Sequence, residues 1–183
     1  SVGYEGIFDG QGYALSLFPE DMLVEGDAVI GLFGTLKSGA VVKNLSISNR
    51  QDNYLSSAGT NYTYNGEYTL YFGLVAGRVL EGATVSGCRV ANSTVSISKG
   101  VLGAIVGVNY GTVENCVSYG LTLTGPAGRV GGIVGDYNGG TVTNCYTTYA
   151  SIGSTATGFV GTSVSCEAGI SDERMASGEI AYK

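Results

Sequence analysis

The 183 residues contain no histidine and no tryptophan, and only two prolines. Without histidine there is no H-E-x-x-H metal motif and no histidine-based catalytic triad. Charge is scarce too: Asp, Glu, Lys and Arg make up 13% of the chain, about half the usual share. Acids outnumber bases, for a net charge of −6 and a pI near 4.5, and no basic stripe occurs. Nucleic acid and anionic membrane surfaces are therefore not expected partners. No apolar run approaches the roughly 18 residues of a membrane-spanning helix, so this stretch is not expected to insert into a bilayer. No signal peptide is visible, and the chain opens on Ser1 without Met, as expected of a mature or excised piece.

Glycine and tyrosine are abundant, at 31 and 13 residues. The glycines mark a repeat. Short apolar runs end at Gly34 (VIGLFG), Gly77 (FGLVAG), Gly107 (GAIVG), Gly135 (GGIVG) and Gly161 (TGFVG). The intervals are 43, 30, 28 and 26 residues, and the long first one holds a polar insertion at 49–67. A second landmark follows each of the first four runs: AVVKNLSI, ATVSGCRV, GTVENCVS and GTVTNCYT. Each carries an apolar pair three residues apart: Val42/Leu45, Val85/Cys88, Val113/Cys116 and Val142/Cys145. In a straight strand, i and i+3 point to opposite faces. Both reach one core only if the chain bends between them, at Asn44, Gly87, Asn115 or Asn144. Asn and Gly best tolerate the left-handed conformation such a bend needs.

A third apolar segment follows: STVSIS, LTLT and, more weakly, YASI. The expected fold is all-β: one right-handed parallel β-helix (solenoid) domain spanning 1–183. It would have about five coils of about 28 residues, with three short strands per coil. Residues 1–29 read as an irregular first coil, 30–170 as the repeats, and 171–183 as a short C-terminal cap. Leu32, Val75, Ile105, Ile133 and Phe159 are expected to line one inward column.

The segments GIFDGQGYALSL, GLFG followed by GAVVKNLSI, and GTVENC resemble the GLUG-type repeats of bacterial cell-surface proteins, over residues 4 to 182. The closing MASGEIAYK is similar to the segment that often ends such arrays. These repeats occur in adhesin-like proteins and beside the peptidase domain of some IgA-specific metallopeptidases. The resemblance implies an extracellular location, at a bacterial cell surface or secreted. It brings no catalytic motif, and right-handedness rests on it together with the general crossover preference.

Candidate chemistry is sparse. Cys88, Cys116 and Cys145 share one repeat position and read as a ladder of buried thiols, and Cys166 falls out of register. Asn44, Asn115 and Asn144 read as corner formers. A lyase-type enzyme would cluster acids with Arg or Lys, whereas Glu114, Asp136 and Arg129 are sparse in the repeat register, and Glu20, Asp21, Glu25 and Asp27, the densest acidic stretch, are best read as a solvated loop. No metal or cofactor is expected. Tyr54, Tyr62, Tyr64, Tyr68, Tyr110 and Tyr137 either cover coil edges or form a recognition face. The function expected is a non-catalytic, monomeric adhesin-like display or stalk module, binding a host glycan or host surface protein through the 49–67 loop and a Tyr-rich face. A polysaccharide lyase-like enzyme is the alternative.

Overall fold

The computed structural model describes residues 2–16, 26–48, 61–126, 129–147 and 151–152. Within them, every element is a short strand, and all pairings are parallel. The first rung holds β1 (Ile7–Asp9), β2 (Ala14–Leu15), β3 (Ala28–Ile30) and β4 (Phe33–Leu36). The second holds β5 (Val41–Lys43), β6 (Ser46–Ser48), β7 (Asn61–Tyr64), β8 (Leu70–Gly73) and β9 (Ala76–Val79). The third holds β10 (Thr84–Ser86), β11 (Arg89–Ala91), β12 (Thr94–Ile97), β13 (Gly100–Gly103) and β14 (Val106–Asn109). The fourth holds β15 (Thr112–Glu114), β16 (Val117–Tyr119), β17 (Thr122–Thr124), β18 (Val130–Gly131) and β19 (Val134–Tyr137). A last partial rung adds β20 (Thr141–Thr143), β21 (Tyr146–Thr147) and β22 (Ser151–Ile152).

Five parallel sheets result, each stacking one strand per rung: a right-handed parallel β-helix of about four turns. A full rung carries five short strands, not the three expected from sequence. One reason is that each apolar Gly-ended run is two strands with a sharp fold between them. The insertion is also shorter than expected. Asn61–Tyr64 is a strand of the solenoid, paired with β12 through Tyr62↔Val95 and Tyr64↔Ile97. In the first rung, β1 and β2 already pair in register with β5 and β6. Phe159 and the expected C-terminal cap lie outside the described residues.

The bend between β5 and β6 repeats in every later rung. Asn44, Gly87, Asn115 and Asn144 have φ of 54°, 60°, 54° and 49°. The turn lets both members of each Val/Leu or Val/Cys pair face inward, and all eight residues are buried. A second left-handed column, Asn92 and Gly120, turns the chain from β11 into β12 and from β16 into β17.

The fold between β8 and β9 is re-entrant. Phe72, Leu74, Val75 and Ala76 are buried, and so are Gly73 and Gly77. Glycine is required here. A Cβ on Gly73 would meet Gly107 N at 2.5 Å and Ile105 O at 2.8 Å, and one on Gly77 would meet Ile30 N at 2.7 Å. Different chemistry closes this crease in successive rungs. Arg78 lies over the Tyr71 ring at 4.9 Å, Val101 and Val108 are buried at the equivalent positions, and Arg129 pairs with Asp136 at 3.0 Å.

Leu32 departs from its expected column. Val75, Ile105 and Ile133 are fully buried, but Leu32 is 37% exposed. Phe33 pairs with Ala76 while Ile30 pairs with Phe72, so the first rung has one residue fewer at its crease. Leu32 cannot reach inward there. Tyr4 and Phe8 pack on Phe33 instead, at ring separations of 4.9 and 5.3 Å, and these rings pack against the core in the first rung.

Candidate functional site

The corner that joins the last strand of each rung to the next rung varies in length. Between β4 and β5 it has four residues, Lys37 to Ala40. Between β9 and β10 it again has four, Leu80 to Ala83. Between β14 and β15 only Tyr110 and Gly111 remain, and between β19 and β20 there are three, Asn138 to Gly140. The flanking strands stay in register throughout: Leu36, Val79, Asn109 and Tyr137 form one column, and Val41, Thr84, Thr112 and Thr141 the next. A shortened corner between fixed strands leaves a notch.

That notch is a groove of about 580 Å³, crossing four rungs and lined by Ser38, Leu80, Glu81, Tyr110, Asn138 and Gly139. Tyr110, from the short corner, is 42% exposed. Its backbone N–H donates to Val79 O at 2.8 Å, which ties the corner to the rung before it. Asn109 explains how the short corner is held. It occupies a core column that is Leu36 and Val79 in earlier rungs, yet it is fully buried. Its Oδ1 accepts the Gly111 N–H at 3.1 Å, and its Nδ2 donates to Thr141 O at 3.1 Å. A buried amide with both ends bonded substitutes for the turn hydrogen bonds that the two missing residues would have made.

Glu81 is the sole charged side chain among the lining residues, and it is exposed. Lys37, next to Ser38, is engaged by Glu5 at 2.6 Å. The hydrogen bond from Lys37, and then its charge, hold the Glu5 carboxyl below the usual carboxylate range.

The structure separates the six tyrosines singled out from sequence. Tyr110 lines the groove, and Tyr137 is half-buried against the core in the same column as Asn109. Tyr68 is exposed but does not line the groove. Tyr62 and Tyr64 correct the expectation of a recognition face: both are core residues, because β7 turns them inward opposite Val95 and Ile97. Tyr62 stacks on Phe72 at 5.0 Å, and burial pushes its phenol pKa up. The Tyr64 hydroxyl accepts the Tyr68 N–H at 3.0 Å. Tyr54 lies outside the described residues, as does most of the insertion.

Cys88, Cys116 and Cys145 are free thiols, buried one above another beneath Leu45. Each Sγ donates to backbone carbonyls, for example Cys116 to Glu114 O at 3.2 Å and Val85 O at 3.8 Å. Burial pushes the Cys116 thiol well above its ordinary value, the opposite of what a nucleophile needs. Cys166 lies outside the described residues. The corner residues Asn44, Asn115 and Asn144 are exposed and bond along their column: Asn144 Nδ2 donates to Asn115 Oδ1 at 3.4 Å, and Asn44 Nδ2 to Asp9 Oδ1 at 3.1 Å.

Among the described residues, the acids and base singled out from sequence are engaged. Arg129 pairs with Asp136 within the crease, Lys43 lies 3.4 Å from Asp9, and Glu114 accepts from Ser86 Oγ at 3.1 Å. Glu20, Asp21 and Glu25 lie outside the described residues, and Asp27 accepts the Thr69 N–H at 2.8 Å. Among the described residues no three His, Cys, Asp or Glu side chains converge on a point where a metal ion could sit.

The groove was not anticipated from sequence. Its signal was present as a length difference: VLEGAT and YNGGT are longer than NYGT at the same repeat position. Compared with models of known families, with curated proteins and with solved structures, the chain has no match.

Proposed function

We propose that this chain is a non-catalytic display module of a bacterial surface protein, of the GLUG-repeat kind, that recognises a host glycan or host surface protein. The single observation that carries it is the open groove at the shortened corner, with a half-exposed tyrosine in a wall of serine, asparagine and glutamate. A stack of hydrogen-bonded rungs keeps residues from four different turns at fixed spacing, about 4.8 Å per rung. Such a scaffold presents a recognition surface with little ordering cost on binding. The groove replaces the 49–67 loop as the proposed contact surface.

The test is a soluble form of the whole chain applied to a glycan array and to a panel of extracellular host proteins. Selective, saturable binding without turnover is the expected result. Release of unsaturated product from uronic-acid polymers would overturn the display role in favour of a lyase. Failure to bind on both panels would reduce the module to a stalk.

A further inference from the structure

Granting the display role proposed above, we infer that the groove is a saccharide site that accepts uncharged and amino-bearing sugars and rejects acidic ones. Tyr110 is its stacking face and Glu81 its charge selector. The groove is large enough for a small ligand. About 580 Å³ falls in the ordinary range of small-molecule sites, roughly 300–1,000 Å³.

The wall chemistry matches a sugar ring. Leu80 and the face of Tyr110 are apolar, and Ser38, Asn138 and Glu81 offer hydrogen-bond donors and acceptors around them. A pyranose has the same division, with C–H groups on its faces and hydroxyls at its rim. The groove crosses rungs, so an oligosaccharide would lie along the solenoid axis rather than around it.

Charge sets the class. Glu81 is the only ionised group in the lining, the nearest lysine in sequence is committed to Glu5, and the whole chain carries −6. A uronate or sulfate would face Glu81 with no cation between them. An ammonium on an amino sugar would be attracted, most strongly at low salt. The short corner is held from below by Asn109, so the Tyr110 backbone is placed before the ligand arrives.

Calorimetric titration of the whole chain with trimers of glucose, N-acetylglucosamine, glucosamine and galacturonate tests this. The uncharged or the amino trimers bind, glucosamine tightens as salt is lowered, and galacturonate binds about tenfold more weakly or not at all. Glu81→Gln narrows the gap between glucosamine and galacturonate by about fivefold. Tyr110→Ala weakens every bound trimer by about fivefold, and Tyr110→Phe, which keeps the ring, does not. Thermal unfolding of each variant checks that it folds. Galacturonate binding tightest, or a folded Tyr110→Ala with unchanged affinities, overturns the inference and leaves the display role standing. Capture of a host protein with no trimer bound does the same. Silence from trimers and host proteins alike overturns both.

Discussion

Replacing Asn115 by alanine tests the bend that lets one rung present both Val113 and Cys116 to the core. Asn115 has φ of 54°, in the left-handed region, and its side chain is exposed. For alanine that conformation costs about 1–2 kcal/mol per residue. The lost contact from Asn144 Nδ2 is long, at 3.4 Å, and lies in solvent, so it adds at most a few tenths of a kcal/mol. Asn115→Ala should therefore destabilise by about 1–2 kcal/mol, which for a chain of this length lowers the melting temperature by about 2–8 °C. Asn115→Gly should stay within about 0.5 kcal/mol of the parent, because Gly87 already serves in the rung above at φ of 60°. Thr122→Ala, on an exposed strand position, is the control and should also be near neutral. Urea and thermal unfolding followed by far-UV circular dichroism give all three values. Alanine as stable as asparagine, or glycine worse than alanine, would refute the account of the corner.

Gly103→Ala should be far more damaging than its single methyl suggests. The new Cβ would collide with the Val106 carbonyl and stand 2.7 Å from Gly135 N, so a loss of about 3 kcal/mol or more is expected, while Gly26→Ala, with nothing within reach of its Cβ, is neutral in the same unfolding assay. Cys88, Cys116 and Cys145 should resist an aromatic disulfide reagent in the folded protein and react on unfolding, read by peptide mass spectrometry; rapid native labelling of Cys116 would contradict its burial. Asp9 should support the fold on the acid side. Its carboxyl is held below the ordinary value chiefly by the Gln11 N–H, then by Asn44 and Lys43, so its contribution is complete above roughly pH 4, the unfolded range, and is lost as pH falls through the lower folded value. Asp9→Asn should flatten the melting-temperature profile there and leave it unchanged near neutrality.

The solenoid was legible because its rungs repeat residues as well as shapes. Val42, Val85, Val113 and Val142 announce one column, and the i, i+3 pairing with Leu45 or Cys forces a bend at Asn or Gly. The crease between β8 and β9 was not legible, since an unbroken apolar run such as FGLVAG does not reveal where a chain doubles back. Tyr62 and Tyr64 misled for a related reason. Flanked by polar residues, they look like loop residues until the alternation of NYTY is matched to TVSI in the next rung. The groove escaped because it comes from residues that are missing, and periodic matching looks past a gap. Asn109 was the available clue: a polar side chain in a column that Leu36 and Val79 fill in the earlier rungs.

Unequal corners between equal strands have a wider consequence. Hydrogen bonds between neighbouring rungs fix the strands whether a corner has two residues or four, so its length can drift without a penalty passed along the stack. A lineage carrying this architecture can carve or fill a cleft by deleting or adding a codon or two, one storey at a time, while the rest of the tower keeps its shape. A shortened corner then needs a partner for its freed backbone groups, as Asn109 provides here.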